Sequence, residues 1–215
     1  MVHLSAIAFA VRQTLSAQGI PLTAGHAQQL AAAALGHNNL ASYQASGDDD
    51  GLPAATSIVI DCERLQSRAT ELGRDGDTFA LALISVLRER FPAADIYDDR
   101  DDWLTDVQSN FERAIVADDS VNSEVAMTNG TFPRTDVELP WWETLDEEDD
   151  DVLTYDFEGL VKVDQDENRT YWGHEIDVRV TLTVERFGRH LFGRHSVDVK
   201  HAKLRWLGEP NESLD

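Results

Sequence analysis

Apolar side chains recur at helical spacing through the first third of the chain and at alternate positions through the last third. That change of period predicts an α+β protein. Leu4, Ile7, Ala8, Val11 and Leu15 form one helical stripe, which Gly19 and Pro21 interrupt. Thr23 is placed to cap a second helix carrying Ala27, Leu30, Ala31 and Ala34, and Gly36 to end it. A short third helix over Leu40 to Gln44 completes a helical module of residues 1–46. A polar linker, Ser46 to Pro53, follows.

The middle segment, residues 55–132, mixes both periods. Ser57 to Ile60 reads as a short buried strand, and Leu65, Ala69 and Leu72 as the stripe of the helix after it. Phe79, Leu83, Val86 and Leu87 mark a second helix, ended by Phe91-Pro92. Trp103, Val107, Phe111, Ala114 and Ile115 mark a third, with Asp101 or Asp102 as its cap at the positive helix end. Residues 133–151 read as a linker containing Pro133, Pro140 and Trp141-Trp142. In residues 152–208 the strand period takes over. Ile176, Val178, Val180, Leu182 and Val184 alternate with polar residues, as in a half-buried antiparallel strand. Val152 to Val163 and Val197 to Leu207 are its expected neighbours in a three-stranded meander, which either stands alone or packs with 55–132 as one domain. The apolar parity changes between Val199 and Ala202, which predicts a bulge near His201.

Charge narrows the range of partners. The 215 residues hold 40 acids against 18 Lys and Arg, a net charge of −22. Residues 1–47 contain no acid at all, whereas Asp48 to Asp177 carry 35 acids against 10 bases. From Val178 onward the sign turns, with Arg179, Arg186, Arg189, Arg194, Lys200, Lys203 and Arg205. Such a chain repels nucleic acid and attracts cationic surfaces. A helix-turn-helix reading of residues 1–46 fails on the same ground, since Arg12 is the one strong base there. The single cysteine, Cys62, rules out an internal disulfide and a cysteine-rich zinc site, and fits a reducing compartment. No apolar run reaches the length of a membrane span, and the N-terminal stretch lacks a basic region ahead of its apolar part. The expectation is a cytoplasmic protein, in which the sequons at Asn129, Asn168 and Asn211 carry no glycosylation meaning.

The stretch from Leu15 to Ala45 has a Gly19-Ile20 turn, the Thr23 cap, His26-Ala27, an alanine helix, Leu35-Gly36 and a closing segment from Leu40 to Ala45. It resembles a small helical module found at the start of many bacterial, often plasmid-borne proteins and often labelled glyoxalase-related. The resemblance covers about a fifth of the chain and implies a family of mobile-element proteins rather than a reaction. Glyoxalase-type enzymes place His and Glu ligands on sheet faces, whereas residues 1–46 offer neither strands nor Glu. His26 and His37 sit near helix ends, where a capping or surface role is expected.

Several constellations carry candidate chemistry. Asp61 and Glu63 close the strand at 57–60, which is similar to the first motif of the DEDD exonucleases, whose paired carboxylates hold divalent metals. The continuation Arg64-Leu65-Gln66 departs from that family, and the structural alternative is an Asp61 that caps the next helix with Glu63 in its first turn. The near-repeat Phe187-Gly-Arg-His190 and Phe192-Gly-Arg-His195 reads either as an anion site or as a hairpin turn with basic flanks. Trp141 and Trp142 are candidate interface anchors. The acidic runs hold Asp48 to Asp50, then Asp98, Asp99, Asp101 and Asp102, then Glu147, Glu148, Asp149, Asp150 and Asp151. None has the calcium-loop pattern. As an ordered face they would imitate a phosphate backbone. The reading is an intracellular binding protein with no cofactor and a basic protein partner, an inhibitor or nucleic-acid mimic acting on a nucleic-acid-handling protein. The alternative is a metal-dependent nuclease or phosphohydrolase using Asp61 and Glu63.

Overall fold

A computed structural model describes residues 3–128, 130–136, 151–165 and 175–205. It is an α+β protein, with its helices mostly in the N-terminal half and its strands mostly in the C-terminal half. The elements run α1 (Leu4–Ala17), α2 (Ala24–Ala34), α3 (Leu40–Ser46), α4 (Asp48–Gly51), β1 (Ser57–Val59), α5 (Cys62–Glu71), α6 (Gly76–Arg90) and β2 (Asp95–Tyr97). They continue with α7 (Arg100–Ala117), α8 (Asp119–Thr128), β3 (Gly130–Asp136), β4 (Val152–Gln165), β5 (Glu175–Gly188) and β6 (Leu191–Leu204). The strands hydrogen-bond in the order β2-β1-β6-β5-β4-β3.

The chain divides into two compact units, and strands β5 and β6 contribute residues to both. One unit holds Met1–Thr105, Asp149–Leu153 and Val184–Arg194; the other holds Asp106–Glu148, Thr154–Thr183 and His195–Asp215. In the first unit, β1 and β2 are parallel, with Ile58 opposite Ile96. Parallel neighbours need a long crossover, and α5 and α6 supply it. On its other edge β1 meets β6 antiparallel, with Ser57 opposite Phe192 and Ile58 opposite Leu191. A single apolar cluster joins Leu4, Ile7, Val11 and Leu15 of α1 with Leu30 of α2, Tyr43 of α3, Ile58 of β1, Leu65 of α5, Leu83 and Leu87 of α6 and Leu191 of β6. Each such side chain, fully buried, contributes about 1.5–3 kcal/mol. The alanines of α2 let α1 and α5 approach closely, and Ala31 to Ala34 are almost wholly buried.

In the second unit the inward residues of β5, Ile176, Val178, Val180 and Leu182, are buried in the alternating pattern expected from their spacing. Phe111 of α7 meets Phe157 of β4 edge to face at 5.5 Å. β3 pairs antiparallel with β4, and the register shifts between Thr131 and Arg134, so that Pro133 falls where the ladder is interrupted. Along β6, Lys200 and His201 are exposed in succession, which moves the inward parity from His195, Val197 and Val199 to Ala202 and Leu204.

Four features differ from the sequence expectation. The stretch read as a polar linker, Ser46 to Pro53, contains α4, with Asp48 and Leu52 buried. The stretch read as a linker from 133 begins inside β3. Helix α7 is capped by Asp99, which accepts from the Asp102 amide at 2.9 Å, so Asp101 and Asp102 lie in its first turn. His37 is fully buried rather than at the surface. Elements α8 and β2 lack a sequence counterpart. Trp141, Trp142, Glu147, Glu148, Asp149 and Asp150 lie outside the described residues; Asp151 is described and exposed. No helix among the described residues is long and apolar enough to cross a membrane.

Candidate functional site

The polar centre of the first unit begins at the end of α2. Gly36 takes a left-handed conformation, φ +82°, and the following His37 amide bonds back to Ala32 O at 3.0 Å. This closing turn drives His37 inward. Its Nε2 lies 2.8 Å from Asp48 Oδ2, and its Nδ1 lies 3.3 Å from Ser42 Oγ. Tyr43 packs its ring edge-on to the imidazole at 5.0 Å. A second left-handed glycine, Gly47 at φ +83°, turns the chain from α3 into α4 and places Asp48 against His37.

Asp48 also accepts the Arg189 amide at 3.2 Å, which ties α4 to the turn between β5 and β6. Two glycines permit that approach. A Cβ on Gly188 would stand 2.6 Å from Asp48 Oδ2, and one on Gly51 would stand 2.2 Å from Phe187 O. Burial alone would raise the Asp48 pKa. The hydrogen bonds from His37 and Ser46, the electrostatic attraction of the His37 ring and the Arg189 amide outweigh it, and the carboxyl titrates below its ordinary value. Asp49, next along, completes α1. Its Oδ1 accepts from the Leu4 amide at 2.8 Å and from the Tyr43 hydroxyl at 2.9 Å, and its Oδ2 lies 3.3 Å from His3 Nδ1. Helix α1 has no local side-chain cap, so a carboxylate from α4 serves instead. Burial, with Asp49 adding to it, pushes the Tyr43 phenol far up.

The Phe187–His195 near-repeat is a hairpin. β5 ends at Gly188, Arg189 and His190 turn, and β6 starts at Leu191. His190 packs on Gly36, and its Nδ1 faces Val59 O at 3.2 Å. A carbonyl only accepts, so that nitrogen carries the hydrogen. Asp61 joins the same corner. Its Oδ1 caps α5 through the Arg64 amide at 2.8 Å, and its Oδ2 receives Arg64 Nε at 3.0 Å and lies 3.8 Å from His190 Nε2. Glu63 stands exposed in the first turn of α5. Among the described residues no three His, Cys, Asp or Glu side chains are grouped to hold a metal ion.

Beside this corner lies Cys62, whose thiol donates to Asp98 O at 2.8 Å. Burial raises its pKa, and Asp98, Asp99, Asp61 and Asp77 raise it further. The negative charge of carboxylates that follow β1 and β2 and open α6 thus acts on one exposed thiol. Arg88 makes a loose pair with Asp98 at 3.6 Å, with both side chains more than half exposed.

The basic strands of the second unit look different in space than in sequence. Arg134 pairs with Asp164, Lys162 with Asp136, Arg179 with Glu158, Lys200 with Asp198, and Arg205 with Asp177 and Glu175. Exposed pairs of this kind add at most about 1 kcal/mol each. Their main effect is to consume the positive charge that would otherwise attract an anion. His195 is pushed down by burial, and Asp106 opposes that shift.

Sequence reasoning named Asp61, Asp98, Asp99 and the 187–190 turn separately. It gives no signal for Ser42 or Tyr43 and places Asp48 in a polar linker. The two glycines flanking His37 and Asp48 were the available signal. Comparisons with protein-family models, with curated proteins and with solved structures found no match.

Proposed function

We propose that this chain is an acidic binding module for a strongly cationic protein surface, acting inside the cell on a partner that itself handles nucleic acid. The observation that carries the reading is the run of exposed acids at the end of β2, where Asp98 and Asp99 follow the strand and the Cys62 thiol at the start of α5 donates to Asp98 O at 2.8 Å. Asp101 and Asp102 continue the exposed acids along the first turn of α7. A face of fixed carboxylates imitates a phosphate backbone, and a net charge of −22 adds long-range attraction for a basic partner.

The test is capture of a basic protein from a bacterial lysate on immobilised wild-type chain and on a D77N/D98N/D99N variant. Asn preserves the cap at position 99, so the variant changes charge more than fold. Wild type is expected to retain a basic partner that is released between about 0.1 M and about 1 M salt, where the screening length falls from about 10 Å to about 3 Å. The variant is expected to lose it. Equal recovery by both chains would sink the reading.

A further inference from the structure

Ser42, His37 and Asp48 form a continuous line of hydrogen-bonding atoms that the binding reading does not use. Asp48 is 4% exposed and is held as a carboxylate, which only accepts hydrogen bonds. The His37 nitrogen facing it at 2.8 Å, Nε2, must therefore donate. In the neutral ring the other nitrogen, Nδ1, then has a lone pair, and the group facing that lone pair at 3.3 Å is the Ser42 hydroxyl. The order of roles is hydroxyl to imidazole to carboxylate, the arrangement that activates a serine for attack. The two ring nitrogens are used in the reverse sense to the serine proteases, but the flow of the proton is the same.

Position supports the same assignment. His37 is wholly buried, so water does not compete for the ring. Ser42 is half-buried on the first turn of α3, and its helix neighbours Ala41 and Ala45 are exposed and carry nothing larger than a methyl. The Asn39 side chain accepts the Ser42 amide at 2.8 Å and fixes that turn. The Arg189 amide and the packed Gly188 hold Asp48 from the far side.

We propose that Ser42 is a nucleophilic serine, activated by His37 and with Asp48 as positioning residue, that accepts the acyl group of small neutral esters. The Ser42 Oγ bonds to the ester carbonyl carbon, its proton passes to His37 Nδ1, and the alcohol leaves with that proton as the C–O bond breaks. Water then attacks the acyl-serine by the same route and releases the acid. The negative field of the chain disfavours anionic esters.

The experiment uses the full chain and a fluorophosphonate, in which an Oγ–P bond forms and fluoride leaves. Adducts are followed by intact mass and mapped by peptide. One adduct on Ser42 is expected, formed at least about 10²-fold faster in the native chain than in denaturant, the usual contribution of a positioned base. Ser42→Ala is expected to lose both the adduct and hydrolysis of a nitrophenyl ester. Asp48→Asn should slow labelling by at least about 10²-fold, because the amide reverses the tautomer and removes the Nδ1 lone pair. No native-state acceleration, an adduct elsewhere, or an unchanged rate in a folded Asp48→Asn chain would each overturn the proposal. Should Asp48→Asn unfold, the native-against-denatured rate of wild type decides alone.

Discussion

A methyl group added at Gly36 would stand 2.4 Å from His190 Cδ2, whereas one added at Gly47 would meet nothing within 4 Å. The two glycines have almost the same φ, +82° and +83°. Alanine at either site bears the left-handed penalty of about 1–2 kcal/mol. Gly36→Ala must also displace the His190 ring, so it is expected to cost at least about 1 kcal/mol more than Gly47→Ala. Urea denaturation of the two variants measures the difference, and equal midpoints would show that the ring moves freely. Single residues were legible in the sequence where their partners are local. Thr23 accepts from the His26 amide and Asp61 from the Arg64 amide, each three positions on. Asp48 was not legible, because its Arg189 contact lies 141 positions away. A buried carboxylate in an acidic run looks like its solvated neighbours until the chain folds back.

At the level of elements, α4 and the β5–β6 turn hold each other through Asp48. Because its folded-state pKa is lowered, its stabilising effect is complete above the unfolded value, about 3.9, and is lost as pH falls through the folded one. Asp48→Asn is expected to lower stability by about 2 kcal/mol near neutrality. That gap should hold down to about pH 4 and then close as the wild-type carboxyl protonates. Other carboxylates titrate in both chains and cancel in the comparison. Denaturation midpoints at neutral and acidic pH check it, and a gap that persisted in acid would mean the charge of Asp48 is not what counts. Long elements with clear periods, α1, α6 and β5, were readable because burial follows their pattern. Short ones were not. β2 is three residues beginning with Asp95, and α8 has a weak stripe started by Asp118, which accepts from the Ser120 amide at 2.8 Å. β3 contains a proline at an interrupted register, a feature that argues against a strand when only the sequence is read.

For the whole molecule, the net charge of −22 sets a background that no single pair removes. Self-repulsion opposes compaction and is screened by salt. Raising salt from about 0.01 M to about 0.1 M shortens the screening length from about 30 Å to about 10 Å. It is expected to raise Tm, by about 2–4 °C for each 1 kcal/mol of repulsion relieved. A fall in Tm would mean that attraction within the cross-strand ion pairs outweighs repulsion. The α+β class followed from periodicity, but the ion pairs on the sheet did not. Charge signs are visible along the chain, whereas their pairing depends on strand order.

Strand β6 has a consequence for synthesis. The cluster built on the helices of residues 4–96 also requires Leu191, and β1 has its antiparallel neighbour only once Leu191 and Phe192 exist. The helices of residues 4–96 are therefore completed only once Leu191 and Phe192 have been made. At about 5–20 residues per second, the early helices wait several seconds with an apolar face still uncovered, the interval in which a nascent chain depends on chaperones.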